Sequence, residues 1–129
     1  SPLWKGGGTI FGPEPHSYSH KLPKKMSKLA RKLIISKKII DGQIMLLDKL
    51  VIESYKTSDF ISFLGDLKIS NKKTLILVDS FQENLILASR NIRNVYVENV
   101  KNVSVYDLMD SEIILSDKIG FDILYKVLV

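Results

Sequence analysis

Two runs of four residues, Ile44-Met45-Leu46-Leu47 and Leu75-Ile76-Leu77-Val78, are apolar at every position, and each is followed by an aspartate, Asp48 or Asp79. A strand with one face in water alternates apolar and polar residues, so an unbroken apolar run describes a strand covered on both faces. Strands of that kind belong to parallel sheets, whose crossover connections lay helices over both sides. Including their flanking residues, the strand candidates are Gln43 to Leu47, Thr74 to Val78, Val95 to Glu98 and Glu112 to Leu115. The expected fold is α/β: a mainly parallel sheet of about four strands flanked by helices, preceded by an extended basic N-terminal arm.

Helical patterns fill the intervals between these strands. Thr57 is placed to cap a helix running through Leu67, with Phe60, Ile61, Leu64 and Leu67 on one face and Ser70-Asn71 closing it. Ser80 is placed to cap Phe81 to Ser89, with Glu83 in the capping-box position, which makes Asp79-Ser80 a helix start. Ser104 opens a short helix, Val105 to Met109, and Ser116 a last one through Val127. The longest helix is expected from Lys24 to Ile40, between Pro23 and the stop Asp41-Gly42. Its apolar positions Met26, Leu29, Ala30, Leu33, Ile34 and Ile40 approximate a helical stripe, with lysines and Arg31 on the remaining positions.

Charge divides the chain in two. Residues 1–40 carry nine Lys or Arg against the single acid Glu14, whereas residues 41–129 carry ten basic residues against thirteen acids. Segregation this strong marks a polyanion-binding stretch joined to a slightly acidic domain. Residues 1–23 also hold Gly6, Gly7, Gly8, Gly12, Pro2, Pro13, Pro15 and Pro23, which disfavour regular structure. The organisation expected is therefore an extended arm, residues 1–23, followed by a globular α/β domain, residues 24–129, that begins with the basic helix. Trp4, Ile10, Phe11 and Tyr18 are scattered through the arm, unlike a plain solvated linker, and need a surface to lie on.

Composition narrows the function classes. The 129 residues suit one domain, and the 45% hydrophobic content suits a packed one. With no cysteine there are no disulfides, thiolate metal sites or cysteine nucleophiles. No apolar run approaches the roughly 20 residues that a membrane-spanning helix needs, and residues at the N-terminus do not follow a signal-peptide pattern. The opening Ser1 fits a processed or truncated product, or an upstream part.

His16 and His20 lie four apart, a metal-binding spacing on a helix, but in a proline-rich stretch with only Glu14 nearby they read as polar or phosphate-touching residues. Asp48 and Asp79 end adjacent candidate strands, where open α/β sheets gather ligands, yet no glycine-rich phosphate loop follows a strand. No cofactor or small-molecule substrate is expected. Basic residues interleaved with exposed aromatics suit a structured RNA, because cations attract phosphates at long range and rings stack on unpaired bases for about 1–3 kcal/mol each. Two rivals stand beside RNA binding: an α/β module docking an acidic protein through the basic helix, and a small doubly wound enzyme using Asp48 or Asp79.

Ser1-Pro2-Leu3-Trp4-Lys5-Gly6-Gly7-Gly8, Phe11-Gly12-Pro13, Pro15, Tyr18-Ser19 and Lys21-Leu22-Pro23-Lys24-Lys25 resemble the signature of the family of the fourth protein of the large ribosomal subunit, in its bacterial or organellar form. Leu29-Ala30, Asp48, Leu75 to Asp79, Glu83-Asn84-Leu85, Ala88-Ser89-Arg90-Asn91 and Val105 to Leu108 resemble its globular part. The resemblance covers essentially the whole chain. It implies a non-enzymatic structural constituent of the ribosome that binds large-subunit ribosomal RNA beside neighbouring large-subunit proteins. The compartment implied is the bacterial cytoplasm, the mitochondrial matrix or the plastid stroma. It also implies an N-terminal strand, a helix and most of a long tunnel loop upstream, with Ser1 on the returning limb of that loop. By matched position, the RNA contacts implied are Trp4, Lys5, Gly6, Gly7, Gly8, Phe11, Gly12, Lys21, Lys24, Lys25 and Lys28, with Arg31 and Lys32 beside them; Tyr18 joins on its ring chemistry. Glu14 and His16 depart from the basic residues more usual there, which weakens phosphate contact at those two positions.

Overall fold

The computed structural model describes residues 1–129. After residues 1–23, which form neither helix nor strand, the elements are α1 (Lys24–Ile40), β1 (Ile44–Leu47), α2 (Thr57–Asp66), β2 (Thr74–Val78), α3 (Glu83–Ser89), β3 (Val95–Asn99), α4 (Val105–Asp110), β4 (Ile113–Asp117) and α5 (Lys118–Leu128). The sheet is wholly parallel, in the order β1-β4-β2-β3. All four expected strands are present.

Covering on both faces explains the unbroken apolar run of β2, whereas β1, also apolar throughout, is an edge strand that is only partly covered, with Leu46 48% exposed. Ile76, Val78 and Leu115 point to one side, where Phe60 and Leu64 of α2 and Leu85 and Ala88 of α3 meet them. Leu75, Leu77 and Ile114 point to the other, against Ile35 of α1, Leu108 of α4 and Leu124 and Leu128 of α5. β2 and β4 lie in the middle of the sheet and are buried along most of their length. Fully burying one such aliphatic side chain stabilises the fold by about 1.5–3 kcal/mol before conformational entropy is charged against it.

The helix starts differ from expectation at three places. Thr57 lies inside α2 rather than capping it. Helix α3 begins at Glu83 after Gln82, so Asp79-Ser80 does not start a helix. The turn above β2 needs two further residues, and it is held by side chains: Gln82 Nε2 donates to the Leu50 carbonyl (3.0 Å) and Asn84 Nδ2 to the Glu53 carbonyl (3.0 Å). Ser116 belongs to β4, where its buried hydroxyl donates to the Leu77 carbonyl (3.2 Å), and Asp117 caps α5 instead by accepting from the Gly120 N–H (2.8 Å). Ser104 caps α4 as expected.

Helix α1 has the expected bounds but only part of the expected inward face. Ile35 and Lys38 are buried and Ala30, Arg31 and Ile34 half-buried, whereas Met26, Leu29, Leu33 and Ile40 are 57%, 56%, 63% and 83% exposed. The fold therefore turns inward one edge of the expected stripe, Ala30 and Ile34, together with Ile35 and Lys38, and leaves the rest of the stripe in solvent.

Candidate nucleic-acid interface

Lys24, Lys28 and Arg31 follow one another at spacings of four and three, which stacks them along one side of α1. With Ser27, and with Val127 and Leu128 at the end of α5, they line a surface pocket of about 280 Å³. Lys24 and Lys28 are exposed and Arg31 is half-buried. Arg31 Nε is shielded from water without a hydrogen-bond partner inside the protein, and none of the three cations forms an ion pair. Two free ammonium groups beside a half-buried, unpaired guanidinium are suited to a phosphate, which supplies charge and acceptor oxygens together.

The remaining basic candidates on α1 do not join that pocket. Lys32 is exposed at a neighbouring apolar groove between α1 and α5, with Ile35, Phe121 and Tyr125, and Lys25 is exposed outside both. Lys38 leaves the charged surface altogether. Its Nζ donates to the Ser111 carbonyl and to Gln43 Oε1 (3.2 Å), and burial lowers its pKa below the ordinary lysine value.

Every residue from Ser1 to Met26 is exposed. Trp4, Phe11 and Tyr18 are 74%, 94% and 78% exposed, so the rings do not lie on the domain and are free for another surface. Trp4 sits in a tight turn in which its N–H donates to the Ser1 carbonyl (3.1 Å) and the Gly7 N–H to the Trp4 carbonyl (2.8 Å). Gly6 is in the left-handed region at φ 78°, and a side chain at Gly7 would collide with the Ser1 and Trp4 carbonyl oxygens. Gly8 and Gly12 have open space around them, and Lys5 and Lys21 are solvent-facing. The Tyr18 ring packs 4.2 Å from that of His16, whose Nδ1 lies 2.9 Å from the Glu14 carbonyl.

The other candidate chemistries have ordinary structural partners. Asp48 pairs with Lys118. Asp79 Oδ1 is buried and makes no well-directed hydrogen bond, but Lys101 Nζ at 3.2 Å supplies its counter-charge. No group of three or more His, Asp or Glu side chains is close enough to hold a metal ion, and no helix is long and apolar enough to cross a membrane. The largest groove lies between α3 and β3, lined by residues such as Phe81, Arg90, Arg93 and Tyr96 that no sequence motif groups together.

Comparison with known proteins agrees with the residue pattern. Residues 1–126 match the profile of the ribosomal protein L4/L1 family. The large ribosomal subunit protein uL4 of Cytophaga hutchinsonii is 38% identical over 112 residues, covering 87% of this chain and 54% of the relative. The same protein of Amoebophilus asiaticus is 41% identical, covering 89% and 55%, and that of Phytoplasma mali 42% identical, covering 92% and 56%. The chain thus spans about half the length of the curated relatives it matches. With the profile match running over nearly its whole length, the chain belongs to the ribosomal protein L4/L1 family.

Proposed function

We propose that this chain is the RNA-gripping part of a structural, non-catalytic constituent of the large ribosomal subunit, binding and stabilising large-subunit ribosomal RNA and so supporting assembly and translation. The observation that carries the reading is the pocket formed by Lys24, Lys28 and Arg31, three cations with no ion-pair partner inside the protein. Residues 1–23 act as an arm, the returning limb of a long loop. Within it Trp4, Phe11 and Tyr18 stack on unpaired bases, Lys5 and Lys21 meet phosphates, and Gly6, Gly7, Gly8 and Gly12 keep the backbone slim where RNA strands crowd. Lys25 and Lys32 add to the same field. Neighbouring large-subunit proteins are further partners. The relatives are bacterial, which favours the ribosome of the bacterial cytoplasm over that of a mitochondrion or plastid.

Counterion release supplies the test. Binding of the chain to large-subunit ribosomal RNA is measured across a salt series, beside a variant carrying Lys24→Gln, Lys28→Gln and Arg31→Gln. Each lost phosphate contact flattens the plot of log affinity against log salt by about 0.7–0.9, so a change of about 2–3 is expected. Equal slopes for the two proteins would remove the pocket from the interface, and salt-insensitive binding would end the reading as a whole.

A further inference from the structure

Sheet order leaves β3 with one side unpaired. The Asn94 carbonyl accepts from the Thr74 N–H (2.8 Å) and the Val100 N–H donates to the Val78 carbonyl (3.0 Å), so the even-numbered residues of this strand turn their backbone groups to β2. By the alternation of a parallel ladder, the N–H and C=O of Val97 and the N–H of Asn99 turn outward. No turn or side-chain hydrogen bond takes up the Val97 groups.

Beside this open edge runs the groove of about 690 Å³ between β3 and α3. Val95 and Val97 belong to its lining together with Phe81 and Ile86, which are 52% and 38% exposed. Arg90 and Arg93 are the only charged residues that line it, and they sit where α3 ends and β3 begins. Both are exposed and neither forms an ion pair. The unused backbone donors and acceptors are spaced for another strand, apolar side chains wait on one flank, and the charge lining the groove is wholly positive, with Glu98 of β3 outside that lining.

We propose that the β3 edge takes an extended acidic segment of another protein as a fifth strand, its carboxylates on Arg90 and Arg93 and its apolar side chains against Phe81 and Val97. A peptide fits these features better than a nucleic acid does, because the lining is largely apolar and the open edge offers backbone hydrogen bonds in the two-residue rhythm of a strand. The proposal does not rest on the RNA reading, whose residues all lie on α1 and the segment before it.

The probe is a blocked peptide alternating valine with glutamate, compared with its valine–lysine counterpart and with an oligouridylate. Affinity is read by fluorescence anisotropy on the 129-residue chain, and the place of binding by amide hydrogen exchange. The glutamate peptide is expected to bind and to slow exchange at the Val97 and Asn99 amides. An Arg90→Ser, Arg93→Ser variant is expected to bind it about fivefold more weakly or worse, from the loss of two exposed ion pairs. Absence of binding, equal binding of the lysine peptide, or protection confined to residues 1–40 would overturn the proposal. Displacement of the peptide from Val97 by the oligouridylate would overturn it too, by assigning the groove to nucleic acid.

Discussion

The Nζ of Lys38 donates a 2.7 Å hydrogen bond to the carbonyl oxygen of Ser111, 73 positions further along the chain. The bond ties the end of α1 to the first of the two residues between α4 and β4, and the Lys38 residue is 6% exposed. Burial disfavours the ammonium form and lowers the Lys38 pKa, against the smaller opposing pull of Asp41 and Glu112. In the window between the lowered value and 10.5 the unfolded chain holds the proton more often than the folded one, so stability from this group rises with pH there. Below that window both states are protonated and the whole desolvation cost is present. The difference in unfolding free energy between the native chain and Lys38→Met, measured by urea titration, should therefore shift in favour of the native chain as pH approaches 10.5. A pH-independent difference would mean that Lys38 is not desolvated.

Lys73 shows the opposite behaviour. Its Nζ donates to Asp110 Oδ2 at 2.7 Å, and that hydrogen bond raises its pKa. The associated stability is fully present below 10.5 and is lost as pH rises through the higher folded value. In a carbon-13 titration of the lysine side chains, Lys38 should deprotonate before the bulk of the lysines and Lys73 after it. Lys73→Gln and Asp110→Asn should each leave the other lysines unmoved.

Lys68 is the only non-glycine residue with a positive φ, 59°, and it ends α2 by donating its N–H to the Gly65 carbonyl (2.9 Å) while Ile69 donates to Leu64 (3.1 Å). Glycine adopts that backbone without the steric penalty of a Cβ, which amounts to about 1–2 kcal/mol, and its extra freedom in the unfolded chain offsets part of the gain. Lys68→Gly should raise unfolding free energy by about 0.5–1 kcal/mol. A loss of stability instead would mean that the lysine side chain contributes more than its backbone costs.

Gly120 stands where α5 leaves the sheet. A Cβ there would lie 2.5 Å from Asp117 Oδ1 and 2.9 Å from Ser116 Oγ, so alanine must displace the carboxylate that caps the helix. Loss of such a cap costs about 0.5–2 kcal/mol, more than the part of alanine's helix preference that survives in the first turn. Gly120→Ala should destabilise the chain, and should do so by less in an Asp117→Ala background, where the cap is already gone. Additive effects in that double-mutant cycle would separate the two residues.

Where the sequence was legible, one physical constraint acted alone. Thr74–Val78 is readable as a buried strand because both faces demand apolar residues, the core of the last strand within Glu112 to Leu115 because it is β-branched and Leu-rich, and Lys24–Ile40 because proline and glycine bracket a helix-forming stretch. Legibility failed where two solutions competed locally. Ser80 and Ser116 have good capping side chains, but the turn after β2 is set by Gln82 and Asn84 reaching Leu50 and Glu53, and the Ser116 hydroxyl is used within the sheet. At the candidate site, charge spacing is enough to place Lys24 and Lys28 together. Nothing local shows that Arg31 is half-buried or that Lys38 is turned inward, since both depend on what α4 and α5 place against the helix.

The facing of α1 is the point on which spacing and packing disagree most plainly, and it can be tested by stability alone. Leu33 and Ile35 are two positions apart on one helix, at 63% and 6% exposure. Ile35 packs with Leu75, Ile114 and Leu124, so Ile35→Ala should cost about 2–4 kcal/mol through lost contacts and an unfilled cavity. Leu33→Lys should change unfolding free energy by less than about 0.5 kcal/mol, as a surface substitution that buries nothing. If the spacing of Met26, Leu29 and Leu33 instead defined the packed face, the two results would exchange places, and Lys38 would return to solvent with an ordinary pKa.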